Sequence, residues 1–252
     1  MVTIRDLSVR YGAKTAADGI SFQAEAGQWW MIVGPNGAGK SSLAGALTRS
    51  IPYTGEVQLD GREIRSYSGG EFARKVGMLA QNNSNIYGFT VDEVVSLGRY
   101  AWRSHYFGGG DPEGEARIRE ALAATGLAGM RNRSMLSLSG GECQRVFLAQ
   151  VMAQDPRVMI LDEPANHLDL PFQQQLFGMI REWLGKPGRL AITVTHDLGI
   201  AKKYGSHALL MSGGKCVAKG EIKNALTPEN LERAYGMDIY GWMKALAAEW
   251  ED

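Results

Sequence analysis

The sequence predicts an α/β fold: a mostly parallel sheet covered by helices, preceded by antiparallel strands and interrupted by a helical insertion. Three observations predict it. WWMIV at 29–33, VGMLA at 76–80, RVMIL at 157–161 and LAITVT at 190–195 are short apolar runs, the pattern of strands buried on both faces. A helical stretch separates the last two, and strand–helix–strand rhythm builds parallel sheets. Residues 2–10 and 19–24 instead alternate apolar with polar, as half-exposed strands do.

Each element has a local reason. WWMIV stops at Gly34, and a helix follows from Lys40 to about Arg49. EVQLDGREI reads as a hairpin turning on Asp60-Gly61. Thr90 and Glu93 have capping-box spacing, with Gly98 as the stop seven residues after Val91. SHYFGGG at 104–110 reads as a loop, and Asp111-Pro112 as the start of a helix that Gly126 ends. Ser139 and Glu142 repeat the capping-box spacing, opening a helix to about Gln154, where Asp155-Pro156 breaks it. Residues 172–184 form the next helix. ALLMSGGKCVAKG is a Gly-Gly hairpin, and Thr227-Pro228 caps a helix that stops at Gly236. Residues 239–250 place Tyr240, Met243, Ala247 and Trp250 on one face of an amphipathic tail.

Composition bounds the function. The 252 residues, 44% hydrophobic and 21% charged, support a sizeable core. Lys plus Arg and Asp plus Glu number 27 each, so net charge offers no argument for nucleic acid or an anionic membrane surface. Cys143 and Cys216 have no metal-ligand spacing and read as reduced thiols of a cytoplasmic protein. MVTIRDLSVRYG lacks a secretory apolar region, and no apolar run is long enough to span a bilayer. A soluble chain that serves a membrane only through a partner is expected.

Three stretches carry chemistry. GPNGAGKSS at 34–42 places Gly34, Gly39, Lys40 and Ser41 at phosphate-loop spacing between a strand and a helix. Gly34, Pro35, Asn36, Gly37, Ala38 and Gly39 form the loop whose backbone N–H groups converge on phosphate oxygens, and Ser42 follows into the helix. Lys40 is expected to reach the β and γ phosphates and the Ser41 hydroxyl to ligate Mg²⁺. RVMILDEP ends a buried strand with two carboxylates. Asp162 is expected to hold Mg²⁺ through water, and Glu163 to orient and activate an attacking water. LAITVTHD ends likewise, and His196 is expected to face the γ-phosphate beside Glu163. His105 and His207 read as loop or surface residues, and His167 as part of a loop beside the site. The start at Ser139 is a second glycine-rich helix N-terminus, again an anion site in form.

Together these residues resemble the ATP-binding cassette (ABC) ATPases over nearly the whole chain. GPNGAGKSS is similar to their Walker A motif, VMILDEP to Walker B, and LSGGE at 138–142 to the signature motif. Gln81 resembles the Q-loop glutamine, a Mg²⁺ ligand; NHLD, ending in Asp169, resembles the D-loop; His196 the switch histidine; and Tyr11 the aromatic residue that stacks on adenine. The resemblance implies a P-loop NTPase (RecA-like) core with an N-terminal antiparallel β subdomain and an inserted α-helical subdomain. The implied division is 1–83 with 156–225 as core, 84–155 as helical subdomain with the signature, and 226–252 as C-terminal extension. It also implies ATP and Mg²⁺ as ligands and a head-to-tail pair of identical chains. Ser139, Gly140, Gly141 and Glu142 of one copy then complete the ATP site of the other.

Residues 81–104 and LTPENLERAYGMDI at 226–239 resemble ATPases that power importers of iron–siderophore complexes, haem and vitamin B12. Ala101-Trp102 departs from that group, where proline is frequent. The implied partners are an integral membrane permease and, indirectly, a solute-binding protein, at the cytoplasmic face of the inner membrane. Other loads of this kind, such as molybdate, and a soluble non-transport ABC ATPase are the alternatives. Nucleic acid is not an expected partner.

Overall fold

A computed structural model describes residues 1–81, 88–103, 110–166 and 168–249. The chain divides into two units, residues 1–64 with 192–252, and residues 65–191. The first begins with β1 (Val2–Tyr11) antiparallel to β2 (Lys14–Ala24). A bulge between Ile4 and Leu7 shifts the phase so that Val2, Ile4, Leu7 and Val9 all face inward. β2 starts five residues before the expected position at 19. Gly19, expected as the first strand residue, sits inside the strand, where its N–H donates to Ser8 Oγ at 2.9 Å. β3 (Trp29–Val33) is buried throughout, and the Trp29 indole donates to Thr193 Oγ1 at 2.9 Å. α1 (Lys40–Leu47) stops before Arg49, which adopts φ 62°. β4 (Thr54–Leu59) and β5 (Arg62–Glu63) form the expected hairpin on Asp60-Gly61, giving the order β2-β1-β4-β5.

The second unit opens with α2 (Gly69–Ala73), which the pattern did not predict, then β6 (Val76–Leu79) and α3 (Val91–Leu97). α4 (Gly114–Ala124), α5 (Gly140–Gln154), β7 (Val158–Asp162), α6 (Leu170–Leu184) and β8 (Leu190–Val194) come next. β6 and β7 are parallel, pairing Val76 with Val158, and Leu190 N–H donates to Arg157 O at 2.9 Å. Capping boxes at Thr90–Glu93 and Ser139–Glu142 are both formed. Gly98 ends α3 for a different reason than expected: its backbone is right-handed, and a Cβ there would overlap the Gln150 carbonyl. Close approach of α3 to α5 demands this glycine. α6 begins at Leu170, two residues before the expected 172, because Asp169 caps it and Pro171 lies in its first turn.

α4 begins at Gly114 rather than at Pro112. The Asp111 carboxylate, expected at the helix start, is taken by Arg99, with Oδ2 to Nε at 2.6 Å and Oδ1 to Nη2 at 2.9 Å. Both side chains are buried. Arg99 also donates to Ala153 O at 3.0 Å and lies 4.7 Å from the Trp102 ring, whose indole donates to Gln154 O at 2.9 Å. One guanidinium thereby ties the turn after α3 to the end of α5. Residues 104–109 of the expected loop, including His105, lie outside the described residues.

The first unit resumes at Ile192, within β8, which neighbours β3; α7 (Leu198–Tyr204), β9 (His207–Ser212) and β10 (Lys215–Glu221) complete the order β10-β9-β3-β8. β9 is parallel to β3, and the β9–β10 hairpin turns on Gly213-Gly214. α8 (Ile222–Ala225), α9 (Pro228–Tyr235) and α10 (Ile239–Ala248) close the chain, with Thr227 capping α9 and left-handed Gly236 ending it. The tail's expected face is corrected. Ile239, Trp242, Met243 and Leu246 line a pocket, whereas Tyr240 is exposed beneath Lys202, and Trp250 lies outside the described residues.

The Arg99 hydrogen bonds hold the Asp111 carboxyl below its usual range. Its stabilisation is therefore present above the ordinary carboxylate pKa and is lost as pH falls through the folded-state value. Asp111→Asn should remove about 3 kcal/mol at neutral pH by stranding a buried guanidinium. Urea melts would measure this, and the gap to wild type should narrow in acid.

Candidate functional site

The phosphate loop is built by steric necessity. Gly34 leaves β3 at φ 146°, and a Cβ there would overlap the Met211 carbonyl oxygen. Gly39 caps α1 at φ 93°, where a Cβ would overlap the Ala16 carbonyl oxygen. Gly37, at φ 79°, has open space around it. Lys40 is 6% exposed, and its ammonium donates to Gly34 O at 2.8 Å and Pro35 O at 3.1 Å. The loop therefore curls around its own cation. No side chain caps α1 among the described residues. The start of α1 is a positive helix end, and Asn36, Gly37 and Ser41 beside it in sequence are exposed. Tyr11 is half-exposed at the end of β1, and its hydroxyl donates to Ser42 Oγ at 3.4 Å. The residue expected at the adenine thus stands beside the loop.

His196 is exposed on a short segment after β8 that is pinned on both sides. Thr195 N–H donates to Ile32 O at 3.1 Å, and Asp197 N–H to Thr195 Oγ1 at 3.1 Å. Asp197 then caps α7, accepting from Ile200 N–H at 2.9 Å. β8 and β3 are neighbours, so His196 and Gly34 leave the C-terminal ends of adjacent strands.

The second unit holds the other candidates. Asp162 is the last residue of β7 and 6% exposed. Glu163 comes next at φ 50°, a left-handed conformation that costs a non-glycine residue about 1–3 kcal/mol. The turn is held by Asn166 N–H to Glu163 O at 3.2 Å and by Gln144 Nε2 to Pro164 O at 2.9 Å. Gln81 is exposed just beyond β6. Asp169 accepts from Phe172 N–H at 3.1 Å, so it serves as the cap of α6. His167 lies outside the described residues.

The start of α5 is fully wired. Ser139 N–H donates to Glu142 Oε2 at 2.7 Å, and Glu142 N–H to Ser139 Oγ at 3.3 Å. The Ser139 N–H, then its hydroxyl, holds the Glu142 carboxyl below its usual range. Gly141 is covered by the Phe172 ring, 3.3 Å from where its Cβ would stand, and Arg145 lies 5.3 Å from that ring. No described atom lies within 4 Å of a Cβ at Gly140. That glycine has an open outer side.

Within the first unit the structure brings together Tyr11, the phosphate loop and the strand end carrying His196. Within the second it joins Gln144 of α5 to the turn that carries Glu163. The left-handed backbone of Glu163 and the wrapping of Lys40 had no signal in the sequence. Tyr235 was also missed; its buried hydroxyl lies beside the Gly34 N–H.

The profile of the ABC transporter family matches residues 17–166, more than half of the chain, and the chain belongs to that family. It is an ATPase of the ABC transporter class. It is 38% identical over 239 residues to the ferric enterobactin transport ATP-binding protein FepC of Escherichia coli (strain K12), covering 92% of this chain and 85% of that one. It is also 38% identical over 247 residues to the hemin import ATP-binding protein HmuV of Jannaschia sp. (strain CCS1), covering 95% and 88%. A crystal structure of a nucleotide-free ATP-binding cassette from an ABC transporter superposes with TM-score 0.80 over 92% of this chain and 97% of that chain. At 22% identity that likeness speaks for the fold.

The loop's glycines make a graded test. Gly34→Ala should cost about 2–3 kcal/mol, combining left-handed strain with overlap. Gly37→Ala, with strain but open space, should cost about 1 kcal/mol. Chemical denaturation of both variants checks the order.

Proposed function

We propose that this chain is the ATP-binding and hydrolysing subunit of an importer for an iron–siderophore or related metal chelate, working as a head-to-tail homodimer closed by ATP. The observation that carries the dimer is that one chain has two helix starts of anion-binding form, α1 in one unit and α5 in the other. α1 has its own lysine. Gly140, at the start of α5, has an open outer side, which suits a phosphate delivered by a second copy. The names of FepC and HmuV support the load, and hemin keeps haem as the second reading.

In this reading the backbone of residues 34–39 and the start of α1 bind the phosphates of ATP, and Lys40 leaves its loop carbonyls for the β and γ phosphates. Tyr11 stacks on adenine and Ser42 steadies it. Ser41, Asp162 and Gln81 provide a hydroxyl, a carboxylate and an amide oxygen, hard donors that fit Mg²⁺. Mg²⁺ bound there supplies charge stabilisation at the phosphates. Glu163 accepts a proton from the attacking water, and His196 contacts the γ-phosphate. Asp169 and the Ser139–Glu142 turn meet the partner copy.

No helix among the described residues is long and apolar enough to cross a membrane. The chain would work at the cytoplasmic face through a permease, with a solute-binding protein delivering the load. The permease contact is assigned to the α3 region, where Phe89, Leu97, Tyr100 and Trp102 are 41%, 48%, 62% and 37% exposed. Arg99 and Arg74 hold that turn rigid from behind, Arg74 donating to Ala101 O at 2.9 Å.

Glu163→Gln should lower steady-state ATP turnover at least ~10²-fold and accumulate an ATP-bound dimer by light scattering. Near-normal turnover would remove Glu163 from the base role. Leu97→Asp with Tyr100→Asp should abolish chelate uptake by the assembled transporter while the isolated subunit still hydrolyses ATP. Unchanged uptake would move the permease contact elsewhere.

A further inference from the structure

Beside His196 lies a pocket of about 340 Å³ that the nucleotide-binding residues do not explain. One wall is His196, between β8 and α7, with Leu198, the first residue of α7. The other is the C-terminal segment, contributing Tyr235 from the end of α9 and Ile239, Trp242 and Met243 from α10. The α10 positions have helical spacing, so one apolar stripe of α10 faces the histidine.

The same segment is moored to the phosphate loop. Ser212 Oγ donates to Ala234 O at 2.8 Å, fixing the end of α9 to the end of β9. The neighbouring Met211 carbonyl is the atom that forbids a side chain at Gly34. The Tyr235 hydroxyl is buried, makes no hydrogen bond of normal geometry among the described residues, and lies beside the Gly34 N–H. A second hold reaches α7, where the Lys202 ammonium stands 5.0 Å from the Tyr240 ring.

α10 itself is lightly held. It has no buried residue, and Trp242 remains 55% exposed. Asp238 caps it through Gly241 N–H at 2.8 Å, shortly after the left-handed Gly236. Its apolar stripe lines the pocket wall opposite the exposed His196 side chain, so moving the stripe changes the surroundings of that imidazole while the backbone at Thr195 and Asp197 stays held.

The geometry points to the C-terminal segment as a positioning element: Tyr235 and the Ile239–Trp242–Met243 stripe set the placement of His196, and so govern turnover rather than ATP binding. The inference rests on the role given to His196 above. Tyr235, Trp242 and Met243 are positioning residues, since none is assigned a contact with the nucleotide.

A double-mutant cycle tests it, with single-turnover hydrolysis under excess enzyme giving the residual rates. Trp242→Ala with Met243→Ala should lower kcat about 5-fold, leave KM for ATP within about twofold, and lower the rate no further in a His196→Ala background. Tyr235→Phe, which keeps the packing, should lower kcat in the same direction. Equal fractional losses in both backgrounds, or an unchanged kcat, would overturn the proposal while leaving the role of His196 intact. If His196→Ala itself turns over normally, the role of His196 falls instead, and NMR still decides the positioning. The His196 imidazole signal, identified by its absence in His196→Ala, should shift in the Trp242→Ala/Met243→Ala variant while that of His207 stays. A stationary His196 signal would refute the positioning.

Discussion

A strand buried on both faces cannot carry chemistry along its length and can deliver it only at an end. β3, β7 and β8 are buried at every position, and Gly34, Glu163 and His196 stand immediately past the ends of β3 and β7 and two residues past β8. The apolar runs that make the sheet possible therefore also decide where polar residues can act. At Gly34 the constraint is steric as well. The chain turns within reach of the Met211 carbonyl of β9, so the packing of a neighbouring strand selects the residue that opens the loop.

The tetrapeptide Ser-Gly-Gly-Glu occurs twice, at 68–71 and 139–142, and both copies close the same reciprocal capping box. The box is a folding device, and it is local enough to form wherever the residues occur. The two helices it opens are unequal. α2 has five residues and α5 has fifteen, so only α5 sums enough aligned peptide dipoles for a persistent positive end. A motif of this kind gains its meaning from the helix behind it.

Local features were legible in the sequence, and tertiary ones were not. The boxes at Thr90 and Ser139, the hairpins on Asp60-Gly61 and Gly213-Gly214, and the stop at Gly236 depend on a few adjacent residues, and each formed where expected. Asp111 did not start a helix because a distant partner, Arg99, claimed its carboxylate. The strand expected from Gly19 begins at Lys14, because an irregularity in the pairing carries it past the glycine. The tail's apolar face was placed on Tyr240 and Met243 rather than on Ile239, Trp242 and Met243, because helical spacing fits both stripes and only the surface it meets chooses. For the site, the loop and the strand-end carboxylates could be read from residue spacing. Tyr235 beside Gly34 could not, since the two lie far apart in sequence and no motif links them.

Glu163 occupies a backbone conformation that glycine adopts freely and a carboxylate side chain does not. Folding alone would favour glycine or asparagine there. Most other residues would stay strained there, whereas glycine or asparagine would relieve the strain while removing the carboxylate. Such a product would still fold and accumulate, and it would still present the exposed α3 surface. With Glu163 as the base, those two variants would be inactive yet folded.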